Sequence, residues 1–130
     1  MPVGIEYVQD GIGVVLFHEG VVTGEELINA ISRVYADERY PRLKYWIGDR
    51  TSCTEFVPDT NSFEKIAELN KKESARNPGM LLALVSPTNL QYGMSRMLQH
   101  LAEGCLFRTE IFRDRASAEK WIQKELTSAQ

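Results

Sequence analysis

Met80-Leu81-Leu82-Ala83-Leu84-Val85, followed at once by Ser86-Pro87-Thr88, is the stretch that decides the fold. Six apolar residues in a row are too few for a helix and too continuous for a strand wetted on one face. The run predicts a central parallel strand covered on both sides. The next three residues predict a helix start, with Ser86 as cap and Pro87 at the first helical position, or with Thr88 and Gln91 forming a capping box. Leu90, Met94, Met97, Leu98 and Leu101 share one face of that helix, and Gly104 ends it.

Working outward, residues 43–48 (LKYWIG) read as another strand, closing at Asp49-Arg50. Residues 51–59 read as a polar loop carrying Cys53, Phe56 and Pro58. Asn61 and Glu64 then signal a second helix start, with Phe63, Ile66, Ala67 and Leu69 as its apolar stripe and Asn77-Pro78-Gly79 as its stop. At the N-terminal end, residues 4–9 and 12–18 are two strands joined by Asp10-Gly11, a favoured tight-hairpin pair. Thr23 and Glu26 make a capping box for a helix bearing Leu27, Ile28, Ile31, Val34 and Tyr35, with Pro41 beyond its end. Downstream, residues 106–112 alternate as an edge strand, with Arg108 and Glu110 on one face to discourage pairing. Asp114 opens a last helix that buries Ala118, Trp121 and Ile122. The order β-β-α-β-α-β-α-β-α predicts one α/β domain over residues 1–126, mostly parallel with an antiparallel N-terminal hairpin, and a tail at 127–130.

The composition fits one domain: 130 residues, 43% hydrophobic and 25% charged. A net charge of −3 argues against a dedicated nucleic-acid binder, whose footprint is basic. No apolar run approaches the roughly 20 residues of a membrane span, and MPVGIEYVQDG has neither the basic nor the apolar part of a signal peptide. Two cysteines, Cys53 and Cys105, make neither a disulfide framework nor a metal site, so a cytoplasmic protein without metal or cofactor is expected.

The succession of elements resembles the STAS-like domain, which includes the SpoIIAA-type anti-sigma-factor antagonists. Asp49 looks like the aspartate that ends the equivalent strand there, and Asp59-Thr60-Asn61-Ser62 falls where those antagonists carry Asp-Ser-Ser-Gly with a phosphorylatable serine. Residues 92–97 (YGMSRM), 111–114 (IFRD) and Trp121 look more like a bacterial branch labelled STAS/SEC14-like. This chain departs from the antagonists in a longer loop between Asp49 and Asp59, in threonine for serine, and in Ser62 at the glycine position. The resemblance implies a non-enzymatic regulatory domain with a protein partner. The SEC14-like likeness implies, as the alternative, binding of a small apolar or amphipathic ligand.

In an open parallel sheet, the loops leaving the carboxyl ends of strands line the ligand crevice. That predicts a rim of His18, Asp49, Arg50, Asp59, Ser86 and Thr88, flanked by helix starts that welcome anions. Thr60 is the phosphorylation candidate, with Thr54 and Ser52 behind it, although Asp59, Thr60 and Asn61 also suit plain capping. His18, Asp49 and Ser86 are the residue types of base, orienter and nucleophile, yet no G-x-S-x-G elbow accompanies them. Met80, Met94 and Met97 could line an apolar pocket, plain core being the other reading. The same methionine-rich helix and the edge strand leave a homodimer open. Cys53 would be reactive only if a cation such as Arg50 lowered its pKa.

Overall fold

The structure, a computed structural model, describes residues 2–57 and 61–128. Five strands form the main sheet: β1 (Val3–Val8), β2 (Gly13–His18), β4 (Tyr45–Asp49), β6 (Leu81–Val85) and β7 (Arg108–Phe112), in the order β1-β2-β4-β6-β7. Only β1 runs antiparallel, against β2; the other pairs are parallel. β6 has every residue buried, as its unbroken apolar run requires. Four helices cover the sheet: α1 (Gly24–Ala36), α2 (Ser62–Ser74), α3 (Asn89–Leu101) and α4 (Arg115–Ser128).

The layers follow from strand alternation. Val14, Leu16, Trp46, Leu82 and Leu84 face a large core shared with α1, α2 and α3. Their neighbours Val15, Tyr45, Ile47, Ala83 and Val85 face Ala118 and Ile122 of α4. The capping boxes of Thr23 with Glu26 and of Thr88 with Gln91 both form, so Pro87 lies ahead of α3 rather than in its first turn. Asp114 accepts from the Ser117 N–H at 2.7 Å to start α4. That helix continues to Ser128, two residues into the segment expected as a tail.

Several expectations need correction. The hairpin is not a two-residue turn. Val8 pairs with Gly13, and Gln9, Asp10 and Gly11 all adopt positive φ (50°, 57° and 87°) in a short 3-10 turn. The wider loop is tied down by the Tyr45 hydroxyl, which donates to Gln9 Oε1 at 2.5 Å. Residues 51–59 are not all loop, because β5 (Cys53–Val57) pairs in parallel with β3 (Gly20–Thr23) as a separate ribbon. This ribbon prolongs β2 and β4 past their carboxyl ends, turned by Gly20 at φ +63°. The alternation hid it: Val22 and Phe56 point inward while Val21, Thr54, Glu55 and Val57 stay exposed, so polarity outweighed the β-branched signal. Finally, Asn61 begins α2 at φ −115°, ψ 4° without the side-chain cap that Asn61 and Glu64 suggested.

α3 is rotated from its expected setting. Ser95 and Leu98 are its buried residues, whereas Leu90 is 71% exposed, Met97 45% and Leu101 37%. The row that packs inward is Gln91, Ser95, Leu98 and Ala102, one position along from the apolar row.

Candidate functional site

The carboxyl ends of β2, β4 and β6 do bring His18, Asp49, Arg50 and Ser86 to one end of the sheet. Alternation then divides them between two faces. His18 continues the side of Val14 and Leu16, toward the three-helix layer, and Arg50 lies on that side with it. Asp49 continues the side of Tyr45 and Ile47, toward α4.

Each side has its own chemistry. On the α4 side, Asp49 accepts from the Thr51 hydroxyl at 2.5 Å, from the Thr51 N–H at 2.9 Å and from Arg115 at 3.1 Å. Burial alone would raise its pKa; these donors outweigh it and hold the carboxyl below its ordinary value. On the other side, Arg50 is 7% exposed and donates to Ser95 Oγ. Ser95 Oγ is in turn 2.7 Å from Ser86 Oγ, and both serines are fully buried. Burial lowers the guanidinium to about 10, so it remains charged at neutral pH. His18 is 3% exposed, and burial, with Arg50 adding to it against Asp49, lowers its pKa to about 3. The imidazole is therefore neutral over the physiological range.

This arrangement is not a nucleophile, base and orienter in sequence. The Ser86 hydroxyl is joined to Ser95 rather than to His18, and Asp49 is committed on the opposite face. Thr88 serves as the α3 cap. Ser52 and Thr54 are exposed; Asp59 and Thr60 lie outside the described residues. Met80 is buried at the amino end of β6, Met94 is half-buried and Met97 faces outward, so the three methionines enclose no common pocket. Burial raises the Cys53 thiol more than the Glu55 backbone and Arg50 lower it, which argues against the reactive-thiolate reading. The sequence places Ser95 inside a helix without a role, reads Tyr35 only as part of an apolar stripe and gives no sign of Asn70, whose side chain accepts from the Tyr35 hydroxyl at 2.6 Å in the core. A polar residue at the inward heptad-like row of an amphipathic helix was the signal available for Ser95.

The chain has a SpoIIAA-like α/β fold. A Shewanella loihica PV-4 protein described as uncharacterised, of the DUF3478 family and with a SpoIIAA-like fold, is similar at TM-score 0.56 and 19% identity, over 92% of this chain and 91% of that one. The Bacillus cell fate determinant SpoIIAA, in its phosphorylated form, is similar at TM-score 0.56 and 12% identity, over 92% of this chain and 98% of that one. No protein-family model matches the chain, and no curated protein does so at a significant level. Among the described residues no helix is long and apolar enough to cross a membrane, and no cluster of His, Cys, Asp or Glu is placed to hold a metal ion.

Proposed function

We propose that this chain is a non-enzymatic regulatory domain that binds another protein through the outer face of α3. One observation carries the reading. Leu90, Met94, Met97 and Leu101 run along that face at intervals of four, three and four, and three of them are exposed. Single exposed apolar side chains are ordinary, whereas a row at helical spacing is the pattern by which one helix packs on another. A partner offering an apolar helix face, a second copy of this chain included, fits it. The SpoIIAA-like fold supports a binding role, and the polar groups at the strand ends are engaged with one another rather than set out for catalysis.

The switch in this reading is a phosphate near the start of α2. SpoIIAA has been seen phosphorylated; here Thr60 is the first candidate, with the exposed Thr54 and Ser52 preceding it. A phosphate there adds about −1.5 to −2 charges beside the helix start and changes what can dock. Two experiments test the proposal. Capture of the partner from the native host should be lost in Leu90→Gln/Met97→Gln with the far-ultraviolet circular dichroism unchanged; an unchanged set of captured proteins overturns the surface. Mass-spectrometric mapping after incubation with extract and ATP should find phosphate within residues 51–62, and repeated absence there removes the switch while leaving the surface. Light scattering decides whether the partner is a second copy.

A further inference from the structure

Arg50 and His18 line a partly open cavity of about 40 Å³ between the sheet and the three-helix layer. Apart from them its walls are largely apolar, with Leu16, Trp46, Leu84 and Leu98 among them. Asn70, Leu82, Leu84 and Leu98 also line a groove of about 260 Å³ along α3, which reaches Gln99 and Thr109. The cavity and the groove have those four side chains in common.

The cavity holds a charge that no described residue balances. Among the described residues no carboxylate lies within ion-pair distance of the Arg50 guanidinium, whose side-chain partner is the Ser95 hydroxyl. The adjacent carboxylate, Asp49, points to the opposite face and is held by Arg115. Leaving a buried guanidinium without a counter-charge is costly, and Arg is the side chain best shaped to take a carboxylate with two parallel hydrogen bonds. His18, being neutral, can add a hydrogen bond without a second positive charge. The backbone around the cation is already fixed: the Arg50 N–H donates to the Val85 carbonyl at 3.1 Å, and its own carbonyl accepts from Gln91 Nε2 at 3.3 Å.

We propose that a small monocarboxylate with a short apolar chain binds here, its carboxylate in the cavity on Arg50 and its chain along Leu84 and Leu98 in the adjoining groove. A phosphate group is a poorer match, since it is more highly charged and more strongly hydrated than a carboxylate and the space is mostly apolar. The site is separate from the α3 outer face, because Leu98 looks inward where Met97 looks out.

The test is a titration of the full chain, isotopically labelled, with sodium hexanoate, and in parallel with hexan-1-ol and sodium sulfate at matched ionic strength. Hexanoate should shift the signals of His18, Gly48, Arg50 (including its side-chain N–H) and Ser95, and bind about tenfold or more tightly than the alcohol. Arg50→Met, whose fold is checked by far-ultraviolet circular dichroism, should lose the preference for the acid over the alcohol. Leu98→Phe, which keeps Arg50 but fills the space, should weaken hexanoate by a comparable factor. Hexan-1-ol binding as well as hexanoate, sulfate competing with it on equal terms, shifts confined to other residues, or no binding up to about 20 mM would each overturn the proposal.

Discussion

His18 is a buried imidazole beside a buried guanidinium, and protonating it would place two positive charges in one apolar cavity. Its pKa is lowered from 6.5 to about 3, so between those values the unfolded chain binds the proton and the folded chain does not. Stability therefore falls as pH drops below about 6.5, by about 2 kcal/mol at pH 5. Asp37, Asp49 and Asp114 are carboxyls held below 3.8, so their stabilisation is complete above about pH 5 and is lost as pH falls further. Among the groups with a shift, His18 therefore governs the window from pH 6.5 to about 5. Urea melts at pH 7 and pH 5 should show the loss in the natural chain, and His18→Leu should flatten it. Part of this was legible in the sequence. Asp49 and Arg50 are neighbours at a strand end, so they had to diverge to opposite faces. Which face carries three helices and which carries one depends on the packing of the whole chain, and adjacency alone could not supply it. A second consequence of close packing sits at Gly13, where a Cβ would run into the Tyr45 ring, itself fixed through its hydroxyl to Gln9. Gly13→Ala should cost about 1–3 kcal/mol in a denaturant melt.

Among the elements, α1 and β6 were the most legible, for opposite reasons. α1 carries a local start signal that forms without tertiary help, Thr23 accepting from the Glu26 N–H at 3.1 Å and Glu26 from the Thr23 N–H at 2.8 Å. β6 is so apolar that no exposed setting would suit it. α3 was harder because two rows one residue apart both have the four-three-four spacing. The more apolar row would ordinarily turn inward. Here the polar chain from Arg50 through Ser95 to Ser86, with Gln91 donating to the carbonyls of Arg50 and Cys53, fixes the other row against the sheet. Those partners lie 38 to 45 residues away along the sequence for the Arg50 and Cys53 contacts, beyond the reach of any local pattern. The rotation has a direct consequence for stability. Leu98→Ala should cost about 2–4 kcal/mol, because a buried side chain leaves a cavity. Leu90→Ala should stay within about 0.5 kcal/mol, as exposed substitutions do. Equal losses in the two would show that α3 does not present the row from Leu90 to Leu101 to solvent.

On the scale of the whole molecule the two sides of the sheet are unequally defended. Three helices share the larger core, while α4 alone covers Val15, Tyr45, Ile47, Ala83 and Val85, anchored by fully buried Ala118 and by Ile122. Arg115 ties the start of α4 to Asp49, and Glu125, near the other end, pairs with Arg108 of the edge strand at 3.0 Å. Partly exposed pairs of this kind contribute little by themselves, so the apolar contact must hold the helix. A chain ending at residue 113 would leave five buried strand residues, all apolar or aromatic, facing water on the side opposite the proposed partner surface. It should bind a hydrophobic dye and lose its cooperative melt, whereas Arg115→Ala should shift the melt by no more than about 1 kcal/mol. Ile122→Ala lies between the two, with an expected cost of about 2–4 kcal/mol from the space it opens beneath the helix. A truncated chain that still melted sharply would mean that the sheet is stable with one face bare. α4 would then be an accessory to the fold, and the small core it closes would be open to a ligand or partner of its own.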